Sequence, residues 1–216
     1  MSDLLLSEAT GAAVVGLSIS INQLRNLQRM SEQTGSDYTM AAKGDMQRLP
    51  FGDEAIDHVY SINAIYHVDD PGAVIDESYR ALATGGRLGV DDWFVTNMIT
   101  DEQLTMLRNN WSTSSNGFHN INTFSRQIEA AGFGLTEVTD LTEEAGEFLS
   151  EERFGTTYDT QVSPVLLDAF PRLYQYEGYE QSHAQMAVDQ LRSDILYMGE
   201  LYRSGAAVYR QIIAEK

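Results

Sequence analysis

The sequence contains no cysteine and only two lysines, Lys43 and Lys216, among its 216 residues. Without thiols it can form no disulfide, no thiolate metal site and no cysteine nucleophile. It also lacks a secretory signal pattern and any apolar run near the ~18 residues that a membrane-spanning helix needs. We therefore expect no membrane span, and the absence of cysteine is compatible with a cytoplasmic location.

Positive charge is scarce throughout the chain. It has 14 basic against 32 acidic residues, which gives a formal net charge of −18. A nucleic-acid-binding face needs clustered lysine and arginine, and no such cluster occurs, so we expect no nucleic-acid partner. The scattered acids fit a solvated surface that keeps a protein soluble by self-repulsion. Such a surface is typical of halophilic proteins, although an ordinary acidic soluble protein has it too.

The remaining composition is that of a globular protein. Hydrophobic residues make up 43% of the chain and proline occurs only four times. A chain of this length can bury a substantial core, and no linker divides it. We therefore expect a single domain over residues 1–216.

Short apolar segments alternate with amphipathic ones along most of the chain. This alternation predicts an α/β protein with a mostly parallel sheet. Residues 143–203 are helical in pattern and rich in tyrosine, so they are interpreted as an insertion before the last strand. Strands are predicted over residues 12–17, 38–42, 55–62, 87–94, 135–141 and 206–214, and helices over residues 3–10, 20–34, 71–85, 100–108 and 123–131.

Residues 44–51 read Gly-Asp-Met-Gln-Arg-Leu-Pro-Phe, and Asp-His-Val follows at residues 57–59. This combination resembles class I S-adenosylmethionine (SAM)-dependent methyltransferases of the small-molecule type, near the sterol, tocopherol and cyclopropane-synthase group. The resemblance implies a Rossmann-like sheet with a final antiparallel strand, and SAM as the cofactor. It also implies that Asp45 accepts a hydrogen bond from the adenine amino group and that Met46 packs on the ring. An aspartate that only caps a turn is the alternative.

The strand over residues 12–17 and the residues after it resemble the ribose-binding part of the same family. The resemblance places Ser18 and Ile19 beside the cofactor, and Gln23 at the ribose. Gln23 also has capping-box spacing from Ser20, in which each side chain satisfies the other's backbone N–H group. A purely structural Gln23 therefore remains open.

The segment 61–71 resembles the stretch that follows the fourth strand in these enzymes. In an open α/β sheet, ligands bind beyond the carboxyl ends of the strands. The resemblance therefore places Ser61 and Asn63 near the cofactor, and Tyr66 near the acceptor. His67 would orient the acceptor or take its proton, unless it is a structural histidine at a turn. Trp93, at a strand end, would form part of the acceptor pocket or simply belong to the core.

One part of the family pattern has no counterpart in this sequence. The first strand and its Gly-x-Gly-x-Gly-like loop are not found, because residues 1–10 resemble the end of the helix that follows that loop. We therefore expect either a gap between strands 12–17 and 55–62 or a direct pairing of these strands. We also expect this chain alone to bind SAM poorly.

The resemblance implies methyl transfer from SAM to a small-molecule acceptor, which would be a lipid, a prenyl or sterol-like compound, or an amine. A noncatalytic methyltransferase-like binding or scaffold protein is the alternative. A nucleotide-binding dehydrogenase shares the sheet type, but the motif at residues 44–51 has no counterpart there. Assembly into a homo-oligomer remains open, and no metal ligand set is predicted.

Overall fold

The computed structural model describes residues 2–35, 39–110, 118–173 and 181–216. Within them, a short 3-10 turn spans Ile65–His67, and two π-helical turns span Glu151–Gly155 and Tyr158–Val162. The strands are β1 (Val14–Ser18), β2 (Thr39–Lys43), β3 (Ile56–Ile62), β4 (Leu82–Val95), β5 (Gly134–Asp140) and β6 (Ala207–Glu215). The helices are α1 (Ser2–Thr10), α2 (Ile21–Thr34), α3 (Pro71–Ala81), α4 (Asp101–Asn110), α5 (Ile121–Ala130), α6 (Thr142–Phe148), α7 (Ser163–Leu173) and α8 (Gln181–Arg203).

The strands form two groups. β1 pairs with β2 in parallel, and the other four strands form a sheet in the order β3-β4-β6-β5. β3 runs parallel to β4, whereas β6 runs antiparallel to both β4 and β5. This arrangement confirms the predicted α/β class, the mostly parallel strands and the final antiparallel strand.

The two groups of strands are not joined by a ladder in the described part of the chain. β1 pairs only with β2 there, and β3 pairs only with β4. Of the two arrangements expected for these strands, the gap is the one observed. One edge of β1 and one edge of β3 therefore carry backbone groups that no neighbouring strand satisfies.

The main core lies on the face of the four-stranded sheet that α3 and α5 cover. Val90 and Phe94 of β4 meet Phe124 and Ile128 of α5 there, and all four side chains are almost fully buried. A second cluster joins the end of β4 to α8 through Trp93, Met198 and Leu201. This second cluster attaches the helical region to the carboxyl end of β4.

Helix ends follow the predicted local signals in several places. Ser20 caps α2, and Gly35 ends it in the left-handed conformation with φ 67°. Thr100 and Gln103 form a complete capping box, because each side chain accepts a hydrogen bond from the other's backbone N–H. Gln23 does not complete the equivalent box at Ser20, since its side chain bonds Ser18 instead.

Two element boundaries differ from prediction. α3 ends at Ala81 rather than continuing to residue 85, because Leu82 is fully buried and pairs with Ile56 at the start of the sheet. Gly85, expected to end the helix, lies within β4 with φ 79°. Tyr38, the predicted first residue of the second strand, lies outside the described residues.

The described helices include none with the length and apolarity that crossing a bilayer requires. The longest of them, α8, has 23 residues and alternates charged with apolar positions.

Candidate functional site

The first group of predicted site residues lies where β1 and β2 end. The Ser18 hydroxyl donates to Gln23 Oε1 at 2.6 Å. The backbone N–H of Gly44 donates to the Ser18 carbonyl at 3.2 Å, which ties the ends of the two strands together. The structure therefore brings Ser18 and Gln23 into contact and places Asp45 one residue beyond that link.

Gly44 permits this close approach of the strand ends. A Cβ at this position would lie 2.7 Å from Leu17 Cδ1 and 3.1 Å from Pro50 Cδ. Asp45 Oδ1 accepts from the Gln47 backbone N–H at 2.9 Å, so this carboxylate caps the turn. The capping alternative for Asp45 is thus observed. The Asp45 side chain is nevertheless exposed, which leaves it accessible to a ligand.

The other two predicted cofactor residues of this group differ in exposure. Met46 is partly buried and packs against the main core, which leaves part of its side chain accessible. Ile19 is 73% exposed at the turn between β1 and α2. A large apolar side chain this exposed is available for contact with a flat ligand surface.

The second group lies where β3 and β4 end, and Asp92 organises it. Asp92 is fully buried, and its Oδ2 accepts from the backbone N–H groups of Ala64 at 3.0 Å and Ile65 at 2.7 Å. Its Oδ1 accepts from the Trp93 N–H at 2.8 Å. Burial raises the pKa of Asp92 to about 6, even though these backbone hydrogen bonds favour the charged form. The carboxylate thus fastens the loop after β3 to the end of β4.

That loop carries aromatic side chains on its outer side. The Tyr66 ring lies 3.9 Å from the His67 ring and 4.9 Å from the Trp93 ring, measured between centroids. Trp93 also packs on Phe118 at 4.9 Å. Tyr66 is half-buried and its pKa is raised by burial and by the charge of Asp92. Tyr66 therefore contacts both His67 and Trp93, so the three predicted acceptor-side residues lie together; their roles stay predictions.

His67 combines an exposed surface with a partly desolvated ring. Desolvation by burial lowers the pKa of His67 below its usual value. The neutral imidazole therefore predominates at neutral pH, and a neutral imidazole can accept a proton. This state suits either of the two roles predicted for His67, orienting a substrate or acting as a base.

Ser61 and Asn63 are held differently at the same strand end. The Ser61 hydroxyl is buried and has no hydrogen-bond partner among the described residues. Asn63 has φ 47° and its N–H donates to the Asp91 carbonyl at 2.8 Å. A positive φ is uncommon outside glycine, and asparagine tolerates it better than most residues. The strand end thus turns sharply at Asn63 and presents its side chain to solvent.

Several polar residues of this region were not among the predicted site residues. Asp91, Asp92, Tyr60 and Tyr209 belong to it in the structure. The sequence contains a signal for Asp91 and Asp92, since two adjacent acidic residues end an otherwise apolar strand. Buried acids are rare unless they have a partner or a function. The position of Tyr209 could not be predicted from the sequence, since only the antiparallel pairing of β6 with β4 places it opposite Trp93.

The described tyrosines of the helical region have different surroundings. Tyr158 is buried and its hydroxyl donates to the Val188 carbonyl at 2.7 Å, so it packs helices together. Tyr202 is 7% exposed and belongs to the cluster around Trp93. The tyrosines at residues 174, 176 and 179 lie outside the described residues.

Comparison with known proteins agrees with this geometry. Residues 2–90 match a family model described as a methyltransferase domain. The chain is 29% identical over 141 residues to the methyltransferase GfsG of Streptomyces halstedii, which is 64% of this chain and 51% of that protein. It is 35% identical over 100 residues to a sterol 24-C-methyltransferase of Gibberella zeae, covering 46% of this chain and 26% of that protein. The chain thus spans about half, or less, of these relatives.

A solved structure extends the likeness over nearly the whole chain. The geranyl diphosphate C-methyltransferase of Streptomyces coelicolor, with S-adenosylhomocysteine bound, superimposes with a TM-score of 0.74. The match covers 98% of this chain and 67% of that one at 16% identity. The chain has a class I SAM-dependent methyltransferase fold. The family match over residues 2–90 supports S-adenosyl-L-methionine as the cofactor.

The residues at the strand ends fit that cofactor. Ser18 and Gln23 provide a hydroxyl and an amide side by side, which suits ribose hydroxyls. The orphaned hydroxyl of Ser61 is a buried polar atom that a ligand can satisfy. SAM supplies an electrophilic methyl group on a sulfonium when bound. This chain's own residues would contribute alignment of donor and acceptor and exclusion of water, and His67 is predicted to provide a site for a proton.

Proposed function

We propose that this chain carries out SAM-dependent methyl transfer to a small-molecule acceptor that binds at the ends of β3 and β4. The observation that carries the proposal is the aromatic wall of Tyr66, Trp93 and Phe118 beside the loop that Asp92 fastens. Wall and loop lie at the carboxyl ends of the parallel strands β3 and β4, and open α/β sheets bind ligands at such ends. The sterol and prenyl diphosphate methyltransferases among the similar proteins support a small-molecule acceptor with an apolar part.

We assign five residues to the adenosine part of the cofactor: Ser18, Ile19, Gln23, Asp45 and Met46. Ser61 and Asn63 would contact its other end. Tyr66 and Trp93 would line the acceptor pocket, and His67 would orient the acceptor or remove its proton. Residues 143–203 would cover the acceptor side of a single domain, which the packing of α8 against Trp93 supports.

The direct test is binding of SAM and S-adenosylhomocysteine measured by calorimetry in high potassium chloride. The titration would use the 216-residue chain. We expect weak binding, since the proposed cofactor residues lie at the ends of β1 and β3, which no ladder joins in the described residues. Absence of binding would contradict the proposal.

A second test concerns His67. We expect His67→Gln to lower kcat about 10²–10⁴-fold if the histidine removes a proton, and to leave cofactor affinity unchanged. Because burial lowers the pKa of His67, activity should be constant above neutral pH and fall only in acid. His183→Gln, in α8, is the matched control. An unchanged kcat in His67→Gln would assign His67 a structural role.

A noncatalytic methyltransferase-like binding protein is the second candidate. The split between β1–β2 and β3–β6 in the described residues favours it, because the proposed cofactor residues lie on both sides of that split. Acceptor binding without cofactor binding would support this candidate.

The composition also supports a proposal about the cellular environment of the protein. A net charge of −18 with two lysines supports a cytoplasmic protein of a salt-adapted cell. Potassium screens repulsion between scattered carboxylates, so the unfolding temperature should rise between low and molar potassium chloride. A falling unfolding temperature would contradict this setting.

A further inference from the structure

The face of the four-stranded sheet opposite the main core carries a polar cluster that neither proposed subsite uses. Asp91 lies at its centre, in β4, opposite Ile62 of β3 and Gln211 of β6. The Tyr60 hydroxyl donates to Asp91 Oδ2. The neighbouring Asp92 faces the other side of the strand, where it bonds the loop after β3. Asp91 and Asp92 therefore contact different parts of the protein, on opposite faces of β4.

One oxygen of Asp91 has no partner. Asp91 Oδ1 is shielded from solvent and accepts no hydrogen bond from the described residues. No ion pair of Asp91 occurs among the residues that the structure describes. Nearby cations are engaged elsewhere, since Arg87 pairs with Glu215 and Arg210 pairs with Asp140. A shielded carboxylate oxygen in this condition is a site for a donor or a cation.

Aromatic side chains frame this carboxylate. Tyr60 is 41% exposed, and its ring packs over Gly89 so closely that a Cβ on residue 89 would lie 2.5 Å from the ring. Burial raises the pKa of Tyr209 to about 12, and the nearby negative charge of Asp91 contributes to this shift. Both phenols therefore stay neutral at physiological pH. Trp93 follows Asp91 on the same side of β4, opposite Tyr209.

A carboxylate oxygen without a partner, beside neutral aromatic rings, is the chemistry that binds alkylated ammonium groups. Such a cation cannot donate many hydrogen bonds, so it is held by charge and by ring faces. The cluster offers both, and the strongly negative protein raises the local concentration of cations. An anionic or purely apolar ligand would leave Oδ1 without compensation.

We propose that Asp91, framed by Tyr60 and Tyr209, binds an amino or alkylammonium group of the acceptor. The inference rests on the proposed function in that it names the acceptor's chemical class. The cluster adjoins the aromatic wall through Trp93, so one molecule can occupy both. The bound cation neutralises Asp91, and no covalent step is involved.

The test uses tetramethylammonium chloride and a neutral, branched molecule of similar size, neopentyl alcohol. Saturation-transfer NMR titrations on the whole 216-residue chain, without cofactor and at one potassium chloride concentration, would compare the two probes. We expect tetramethylammonium to bind and neopentyl alcohol to bind at least about tenfold more weakly. Equal affinity of the two probes would overturn the proposal.

Variants separate the charge from the rings. Asp91→Asn should weaken tetramethylammonium binding at least about tenfold, whereas Asp76→Asn, an exposed control in α3, should not change it. Tyr60→Phe should retain most of the affinity because the ring remains, and Tyr60→Leu should lose it. Undiminished binding by Asp91→Asn, with folding verified by circular dichroism, would overturn the proposal.

The cofactor also carries an α-amino group, so the source of the cation must be distinguished. We expect Asp91→Asn to leave S-adenosylhomocysteine affinity unchanged. A loss of that affinity would assign Asp91 to the cofactor and overturn the acceptor assignment. If S-adenosylhomocysteine does not bind even the parent chain, the proposed function fails, but the tetramethylammonium titration still decides the cation site.

Discussion

The buried carboxylate of Asp92 permits a quantitative prediction. Two effects oppose each other there: burial penalises the charge, while three backbone N–H groups stabilise it. Burial has the larger effect, and it raises the pKa of Asp92 from 3.8 to about 6. The difference of about 2 pKa units corresponds to about 3 kcal/mol of free energy. Asp92→Asn tests this balance, since asparagine resembles the protonated acid in shape and does not titrate, although its NH₂ group cannot accept the backbone N–H that a carboxyl oxygen accepts.

The sign follows from proton linkage at Asp92. The native carboxyl retains its proton up to about pH 6, whereas the unfolded one releases it near pH 3.8. The native state therefore binds more protons in this window, and the stability of the parent protein falls as pH rises through it. Above about pH 6, Asp92 is ionised in both the native and the unfolded state, and its ionisation no longer lowers the stability further. Asparagine does not titrate, so the variant avoids this loss.

We therefore expect the stability of Asp92→Asn relative to the parent to increase by about 2 kcal/mol between pH 4.5 and pH 7.5. A cost of about 1–3 kcal/mol, which does not depend on pH, is added because one backbone N–H loses its acceptor. Urea unfolding followed by circular dichroism, at constant potassium chloride, measures the difference at both pH values. The exposed control Asp76→Asn should differ from the parent by less than about 0.5 kcal/mol at either pH. A difference for Asp92→Asn that is constant with pH, or that falls as pH rises, would refute the reasoning.

Two further predictions concern packing. Gly44→Ala should destabilise the protein by about 1–3 kcal/mol, because the added Cβ would lie 2.7 Å from Leu17 Cδ1. In the matched variant Gly52→Ala the nearest atom is 4.0 Å away, so thermal unfolding should change little, and equal effects would contradict the argument. Tyr158→Phe should cost about 1 kcal/mol, because the buried hydroxyl loses its hydrogen bond to the Val188 carbonyl. An unchanged unfolding midpoint in urea would show that this bond is dispensable.

Local signals predicted most helices and strands. Ser20 and Gly35 marked the ends of α2 because capping and left-handed geometry depend on single residues. The short apolar runs predicted the strands because buried parallel strands leave few positions for polar residues. The end of α3 was wrong by four residues, since the pairing of Leu82 with a distant strand overrode the local glycine signal.

The cofactor side of the site was accessible to sequence reasoning because its residues are close in the chain. Ser18 and Gln23 are five residues apart and meet in the structure. The motif at residues 44–51 occupies a single turn. The roles of these residues stay predictions, as does the role of His67, until binding and kinetics are measured.

The sequence alone thus determined the α/β class, the acidic character and the resemblance to methyltransferases, because each depends on composition or on residues near one another in the chain. Strand alternation already implied that Asp91 and Asp92 face opposite sides of β4. Only the tertiary structure decided what each of them contacts: Asp92 bonds the loop after β3, and Tyr60 and Tyr209 frame Asp91. Strand register sets these contacts. Tyr60 is 31 residues from Asp91 in the chain, and Tyr209 belongs to β6, which is more than 100 residues from β4. A pattern read along the chain carries no information on this register.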